Sequence, residues 1–381
     1  MRTVDIGDFT VGEGYPPRIM GVLNMSLESN WDPSVRGTVT EAAAFAEELF
    51  EQGADIVDVG LQSSNPKNEW LPPEVEFDRL PAALEVIDAV DREDAVFSIE
   101  TRYAEVAAEA LDGGFDVVND VCGFADPEMP EVCAARDAPV VKMASPPDLK
   151  KPGHLKTVDD VFEALCRGGF TDKTIIDPAF GGWYDEKTYE DNWEAFRRLR
   201  EFRAFGRPIL TATNREDFLG TIAGKMDHEE QLNVSLAAAT LEVDRGASIV
   251  RTHDVPETAD VVKVAHHMKP ETATGDSPRV VELRGVDERE LERYQTLSEA
   301  TVGDPARTAT LCFQVGGLSD TLRSQVLESA EDAGVFGIEE GDRIVLAGSI
   351  NDFRGLLVAL PEGPAPIREL AGRLRLSVAR T

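Results

Sequence analysis

The sequence predicts an α/β fold, a (β/α)8 TIM barrel followed by a small C-terminal α/β or α+β domain. Over the first ~270 residues, eight short apolar runs alternate with segments of helical periodicity, which is typical of βα units. The runs are mostly apolar rather than alternating, as expected for parallel strands covered on both faces. A turn-rich segment then separates this pattern from a region of different composition. A doubly wound open sheet is the competing architecture.

The predicted strands and helices alternate along the chain. Two helical segments, Thr40 to Gly53 and Ala104 to Gly114, end in glycine, which adopts the left-handed conformation that closes many helices. The predicted strands are Arg18–Leu23, Ile56–Val59, Val96–Ile99, Val117–Asn119, Pro139–Met143, Thr174–Ile176, Pro208–Leu210 and Ser248–Val250. Eight βα units in this length suit a single barrel.

The segment His266 to Arg279 is rich in turn-forming residues and predicts a linker. We therefore divide the chain into a barrel at 1–268, a linker at 269–279 and a small domain at 280–381. The elements predicted in the small domain are strands at Val280–Leu283, Ala309–Phe313 and Arg343–Leu346 and helices at Glu288–Ala300, Leu318–Ala333 and Asn351–Leu360. Gly334 to Arg343 is predicted as a turn between elements. No chemical constellation stands out in this domain, and its expected role is oligomerisation or a lid.

Acidic side chains dominate the composition, with 71 Asp and Glu against 38 Lys and Arg and a net charge of −33. Such a surface repels nucleic acid and anionic lipid, so neither is an expected partner. A dense carboxylate shell stays hydrated in concentrated salt, which predicts a halophilic, cytoplasmic protein. No stretch has the apolar length of a signal peptide or of a membrane span. The four cysteines form no C-x-x-C pair, so neither a disulfide framework nor a zinc site is predicted.

Polar residues cluster where the predicted barrel strands end. In a barrel, chemistry is located at the carboxyl ends of the strands and in the loops that follow them. One Asp after a strand is normally a helix cap or a turn former, but polar groups after all eight strands predict a single pocket mouth. These residues are Asn24, Asp58, Glu100, Thr101, Asn119, Asp120, Lys142, Asp177, Asn214, Arg215, Arg251, His253 and Asp254.

Seven sequence blocks occur in one order along the predicted barrel. They read IMGVLNMSLES, GADIVDVGLQSSNP, FSIETRYAEVAAEAL, FDVVNDVCG, IIDPAFG, NREDFLG and IVRTHDV. Each resembles the corresponding block of dihydropteroate synthase, a family of the pterin-binding TIM-barrel superfamily. The resemblance covers about residues 15 to 268. With its acidic composition, the chain resembles a diverged haloarchaeal-type member of the family.

The resemblance implies a transferase of folate or pterin biosynthesis. Such an enzyme condenses 6-hydroxymethyl-7,8-dihydropterin diphosphate with p-aminobenzoate or a related arylamine, giving 7,8-dihydropteroate and pyrophosphate, with Mg²⁺ bound beside the diphosphate. By motif position, Glu100, Asn119, Met143 and Asp177 would bind the pterin. Glu100 stands where the family has Asp, which keeps the charge but changes its reach. A homodimer is expected from the resemblance alone.

The diphosphate would be bound by residues after the first, seventh and eighth strands. The resemblance assigns this role to Asn24, Asn214, Arg215, Arg251 and His253. Arginine is suited to bidentate phosphate binding, and barrels often bind phosphate after their last strands. Arg251, His253 and Asn24 would be the catalytic residues. Asn24 would also hold Mg²⁺, which prefers oxygen ligands.

The acceptor half departs most from the family pattern. Ser64 and Trp183 are the acceptor-binding candidates, because Ser64 keeps a hydroxyl and Trp183 adjoins Gly182, where a phenylalanine is usual. Asn65 replaces an arginine that is associated with the aminobenzoate end. In the loop after the seventh strand, the lysine that contacts the pterin is replaced by Glu216. A different acceptor is therefore an open alternative.

Two other functions remain open at this stage. A pterin-dependent methyltransferase shares the barrel and the Asn and Asp contacts to pterin, but it lacks a diphosphate site, and Arg251 and His253 count against it. A non-catalytic paralogue that binds pterin is favoured by the loss of the lysine and by the altered acceptor loops. Magnesium dependence and pyrophosphate release would separate these functions.

Overall fold

Eight parallel strands close into a barrel in the computed structural model of the chain. The structure describes residues 2–26, 34–64, 68, 70–184, 186–269, 273–274, 280–281, 285–297, 304–340, 343–360 and 364–378. A short antiparallel hairpin of β1 (Val4–Ile6) and β2 (Phe9–Val11) precedes the barrel. The barrel strands are β3 (Arg18–Asn24), β4 (Ile56–Gly60), β5 (Phe97–Thr101), β6 (Val117–Asp120), β7 (Val140–Met143), β8 (Thr174–Asp177), β9 (Ile209–Thr211) and β10 (Ala247–Thr252). The last strand, β10, pairs with the first, β3, so the sheet has no free edge.

Helices surround the barrel, and two of them correspond to the predicted helical segments Thr40 to Gly53 and Ala104 to Gly114. They are α1 (Val39–Glu51), α2 (Pro73–Ala89), α3 (Ala104–Asp112), α4 (Met129–Ala135), α5 (Val158–Cys166), α6 (Tyr189–Arg197), α7 (Asp217–Ala223), α8 (Leu232–Asp244) and α9 (Val255–Met268). Thr157 and Thr188 start α5 and α6 with reciprocal capping boxes. Gly53 and Gly114 follow α1 and α3 with φ of 105° and 116°, as the glycine pattern predicts. Among the described residues, no helix has both the length and the apolarity needed to cross a bilayer.

Side chains alternate along each barrel strand between the lumen and the helix layer. An apolar layer of the lumen packs with the hairpin β1–β2 and consists of Met20, Ile56, Val96, Val117, Val141, Ile175, Leu210 and Ile249. Counting two or four residues on from these floor residues gives side chains that point in the same direction. They are Asn24, Asp58, Glu100, Asn119, Met143, Asp177 and Arg251. The period of two therefore places these residues, all polar except Met143, in the lumen above an apolar floor. We call them the lumen cluster.

The contacts within the chain define two compact units, Met1–Glu282 and Leu283–Thr381. Where the sequence predicts a linker, a short antiparallel pair joins β11 (Ala273–Thr274) to β12 (Val280–Val281). The elements of the second unit are α10 (Glu288–Leu297), β13 (Thr310–Gly316), α11 (Asp320–Asp332), β14 (Phe336–Glu340), β15 (Arg343–Ser349), α12 (Ile350–Ala359) and α13 (Ala365–Val378). Its sheet is antiparallel in the order β13–β15–β14 and its core includes Val326, Leu346 and Phe353.

The barrel confirms the predicted fold class and excludes the open sheet. Each predicted barrel strand coincides with an observed one to within two residues at either end. The prediction of a turn at Gly334 to Arg343 is wrong, because this segment contains β14 and the first residue of β15. The register pairs Glu340 with Arg343, so the glycine-rich segment forms a hairpin rather than a simple turn. The helix α13 was not predicted.

Candidate functional site

A guanidinium and two carboxylates form the centre of the lumen cluster. Arg251 Nε donates to Asp58 Oδ2 at 2.8 Å, and Arg251 Nη2 donates to Glu100 Oε2 at 2.5 Å. Asn119 Nδ2 donates to the same Asp58 oxygen at 2.9 Å. Four strands therefore contribute to one network. Within the described residues, Arg251 Nη1 forms no hydrogen bond, and the Arg251 side chain is 19% exposed, so the guanidinium keeps a donor for an anion.

Burial and mutual attraction set the charges of this network. Burial raises the pKa of Glu100, and the neighbouring Arg251 opposes that rise. Burial disfavours the charge of Arg251, but Asp58 and Glu100 outweigh this effect and raise its pKa above the ordinary value. The arginine is therefore held as a cation beside two acids inside a barrel.

Asp177 ends β8 and lies in register with Met143 at the end of β7. Its Oδ1 accepts a hydrogen bond from the Ala179 amide at 2.8 Å, and among the described residues its Oδ2 accepts none. Burial raises the pKa of Asp177 to about 7, and Arg251 is among the groups that oppose the rise. Asp177 thus presents a buried acceptor with unused capacity toward the lumen.

A second set of contacts joins the loops after β9 and β10. Arg215 donates from Nε and Nη2 to the two oxygens of Asp254, at 2.8 and 2.7 Å. Asn214 Nδ2 donates to Asp254 at 2.8 Å, and Asn214 Oδ1 accepts from the His253 amide at 3.2 Å. We call these four residues the loop clasp. The Arg215 backbone has a φ of 52°, which is uncommon outside glycine and which these contacts hold in place.

His253 is a neutral member of the clasp. Burial lowers its pKa to about 3, and the nearby Arg251 lowers it further. Its Nδ1 lies 2.7 Å from Ser34 Oγ. If the Ser34 hydroxyl donates this bond, the imidazole carries its hydrogen on Nε2 and can donate it to an anion.

Comparisons with known proteins identify the family of the chain. The model of the family described as pterin binding enzyme matches residues 20–253, which contain every member of the lumen cluster and of the loop clasp except Asp254. The chain belongs to the pterin-binding enzyme family. The predicted resemblance is thereby confirmed, and the relatives below make the chain dihydropteroate synthase-like within that family.

Three relatives illustrate the similarity. A dihydropteroate synthase of Bacillus subtilis is 32% identical over 66% of this chain and 88% of its own length. A probable bifunctional folylpolyglutamate synthase/dihydropteroate synthase of Halobacterium salinarum is 36% identical over 66% of this chain, which spans only 32% of that relative. The structure of a dihydropteroate synthase from Thermus thermophilus in complex with 4-aminobenzoate matches 70% of this chain and 100% of its own, with a TM-score of 0.58 and 28% identity.

The structure brings together most of the residues that the pterin-binding family resemblance assigns. Glu100, Asn119 and Arg251 are in one hydrogen-bonded network, and Asp177 is electrostatically coupled to Arg251. Ser64 hydrogen-bonds to Glu100 and so lies beside the lumen cluster. By contrast, the Trp183 indole N–H donates to its own loop, to the Phe180 carbonyl at 2.8 Å.

The first segment of the loop that follows β4 is braced from outside the lumen. Gln62 Nε2 donates to the Leu71 carbonyl at 3.0 Å and to Glu76 at 3.3 Å. Glu76 also accepts from Thr101 Oγ1 at 2.5 Å, and burial raises the pKa of Glu76 to about 7. Asn65 and the segment 27–33, which hold several departures from the family pattern, lie outside the described residues.

Asp58 is the site residue to which the sequence reasoning assigned no role. It accepts from both Arg251 and Asn119 and is fully buried. A signal was available, because an acid inside the apolar strand IVDVG has the same parity as the floor residue Ile56. Lys142 and Asp120, which the sequence groups with the pocket, have the opposite parity and face the helices instead.

Asn24 provides one amide oxygen at the end of β3, 3.1 Å from where a side chain on Gly60 would begin. No group of three or more His, Cys, Asp or Glu among the described residues could hold a metal ion. A single neutral oxygen fits an ion of the magnesium type that keeps most of its shell as water and substrate phosphate. It does not fit an ion caged by the protein.

Proposed function

We propose that this chain condenses 6-hydroxymethyl-7,8-dihydropterin diphosphate with an arylamine of the p-aminobenzoate class, releasing pyrophosphate. The observation that carries the proposal is the lumen cluster, in which Asp177, Asn119 and Glu100 surround Arg251 above an apolar floor. The dihydropteroate synthases among the relatives support the same chemistry. The longer relative from Halobacterium salinarum, whose name joins this activity to a second one, supports it too.

The pterin fits the acceptors of the lumen. Its amino group and adjacent ring N–H need carboxylate or amide oxygens, and its carbonyl needs a donor. Asp177 Oδ2, which accepts no hydrogen bond within the described part of the chain, supplies the charged acceptor, and Glu100 and Asn119 at their strand ends supply further polar contacts. Met143 contributes an apolar surface beside Asp177. These groups project from strands rather than loops, so the pterin would be held with little loss of ordering entropy.

The diphosphate would lie between Arg251 and the loop clasp. Arg251 Nη1 forms no hydrogen bond among the described residues, and the neutral imidazole of His253 lies near the same guanidinium. Arg215 is already bidentate to Asp254, so we assign it to positioning His253 rather than to direct phosphate binding. Asn214 joins the same positioning role because both ends of its amide contact residues 253–254.

The reaction needs no protein nucleophile. The bond between the pterin methylene carbon and the diphosphate oxygen breaks, and the leaving pyrophosphate takes the electron pair. The amine nitrogen of the acceptor then forms the new C–N bond and releases a proton. Arg251 and His253 would stabilise the charge that develops on the leaving group, and the lumen would align the two reactants.

Mg²⁺ would accompany the diphosphate and neutralise part of its charge, with Asn24 as its protein ligand. The acceptor would lie on the Ser64 side of the cluster, with Trp183 at its outer edge. A homodimer in a halophilic cytoplasm completes the proposal and is supported by the family resemblance and by the net charge of −33.

Pyrophosphate release tests the proposal. The purified chain in concentrated KCl receives magnesium, the dihydropterin diphosphate and p-aminobenzoate, and release should require all three. Release without arylamine dependence would contradict the transfer step. Glu216, at the position of the family lysine, favours a second candidate, a non-catalytic pterin-binding protein. That candidate predicts tight pterin binding and no release with any arylamine.

A further inference from the structure

Glu216 is turned toward the loop that follows β8. Gly181 in that loop has a φ of 115°, and a Cβ built there would lie 2.7 Å from Glu216 Oε1. The carboxylate therefore fills the space that any other side chain at Gly181 would need. The acid at the position of the missing lysine thus contacts the neighbouring loop closely.

A lysine enters the same region from that loop. Lys187 Nζ donates to the Ala179 carbonyl at 3.3 Å, and the amide of Ala179 donates to Asp177 Oδ1. The charged groups that act on Lys187 are, in decreasing order, Glu216 before α7, Asp191 in α6 and Asp177 at the end of β8. The backbone of Ala179 therefore links the Lys187 ammonium to Asp177, the carboxylate assigned to the pterin.

The local chain fixes the position of Lys187. Its amide donates to the Tyr184 carbonyl at 2.9 Å, and the next residue, Thr188, caps α6. Burial lowers the pKa of Lys187 to about 8, and Glu216, Asp191 and Asp177 oppose the decrease. At pH 7 the lysine is mostly charged, and it is held at a turn rather than on a flexible tip.

We propose that Lys187 supplies the pterin pocket with the cation that the loop after β9 lacks, and that Glu216 orients it. This inference rests on the proposed function and adds a binding residue to it. Lys187 would keep one N–H on the Ala179 carbonyl and turn another toward the carbonyl or ring nitrogen of the pterin. Glu216 would orient the ammonium by its charge, which is the strongest of the carboxylate charges acting on Lys187.

The test is the affinity for 6-hydroxymethyl-7,8-dihydropterin without its diphosphate, measured by calorimetry on the full chain. Lys187→Met should weaken binding about 10-fold or more, as expected for the loss of a charged hydrogen bond. Lys187→Arg should retain most of the affinity. Lys173→Met is the matched control, because Lys173 precedes the opposite end of β8 and pairs with Asp137. It should bind pterin as the wild type does.

Exchanging the charges of Lys187 and Glu216, together with a pH profile, separates a pterin contact from a merely structural pair. Glu216→Lys combined with Lys187→Glu should bind pterin more tightly than Lys187→Glu alone. The affinity of the wild type should also fall above about pH 8, whereas Lys187→Arg should not show this loss, and this profile decides the matter if Lys187→Met fails to fold. Unchanged affinity in a folded Lys187→Met would overturn the inference and leave the proposed function standing. Absence of pterin binding in the wild type would overturn both.

Discussion

The lumen and the helix layer of the barrel both contain buried charged residues, but they use them differently. Lys142 faces the helix layer, and its ammonium donates to three carbonyls at the end of α5 and just beyond it, those of Leu165, Arg167 and Gly169. Asp120 faces the same way and accepts from the amides of Cys122 and Phe124. All three N–H groups of the Lys142 ammonium are therefore used in hydrogen bonds to backbone carbonyls.

The lumen groups keep hydrogen-bonding capacity in reserve. Asp58 Oδ1 and Ser98 Oγ are buried without a hydrogen-bond partner among the described residues, and Asp177 accepts only one such bond there. Leaving a buried polar group unpaired costs about 1–3 kcal/mol, so a fold selected only for stability would avoid it. The fold saturates Lys142, whereas Asp58, Ser98 and Asp177 keep hydrogen-bonding capacity that a ligand could use.

The strongest way to break the comparison is Asp177→Asn. We expect the affinity for the dihydropterin to fall about 100-fold, because the charged acceptor is lost and an amide donor faces the pterin donors. The free energy of unfolding should not decrease, because the wild-type carboxylate is itself desolvated. Calorimetric titration and denaturant unfolding measure the two quantities. Tight binding by this variant would remove Asp177 from the site.

Lys142→Met should lose stability and keep pterin affinity, the opposite of what we expect for Asp177→Asn. It leaves three carbonyls without their donor, so we expect the free energy of unfolding to fall by about 2–4 kcal/mol. Pterin affinity at a temperature where the variant is folded should match that of the wild type. A variant of normal stability that has lost pterin binding would reverse the assignment of the two regions.

Arg215→Gln probes the loop clasp, which holds His253 without contacting the pterin in our assignment. Affinity for the pterin diphosphate should fall about 5- to 10-fold, while affinity for the pterin alcohol should not change. Parallel titrations with both ligands give the ratio. Equal losses for the two ligands would indicate that the clasp supports the whole mouth of the barrel.

The most gradual effect is the dependence of pterin binding on pH. The pKa of Asp177 is raised to about 7, so in the free protein its carboxyl becomes protonated as the pH falls below 7. Pterin affinity should then fall by up to about tenfold per pH unit on the acid side. Asp177→Asn should have a flat profile over the same range. An unchanged slope in this variant would assign the titration to another group.

The sequence is sufficient for the barrel and for most of the lumen cluster. Apolar runs locate the eight strands, and the family motifs place Asn119 and Asp177 at strand ends that line the lumen. Strand parity could also have separated Asp58 from Lys142, because the alternation of side chains is written into each strand.

Other features depend on contacts between distant loops. The approach of Glu216 to Gly181 and the position of Lys187 follow from how two loops meet, which no local pattern describes. In the second unit, β14 was missed because Phe336 and Ile338 lie exposed in a segment, Gly334 to Arg343, with three glycines, so neither burial nor alternation marks a strand. Residues 298–300 of the predicted helix Glu288–Ala300 lie outside the described residues.

The ion pairs of Arg251 connect segments that are 193 and 151 residues apart along the chain. They join the last barrel strand, β10, to β4 and β5 across the line where β10 meets β3. During synthesis, Asp58 and Glu100 are made before Arg251, so their ion pairs form only after the final strand has docked. A fluorescent pterin would bind only to molecules that have completed this last step. If pterin binds in the lumen as we propose, its binding would thus also report, in real time, how quickly the ring of strands closes.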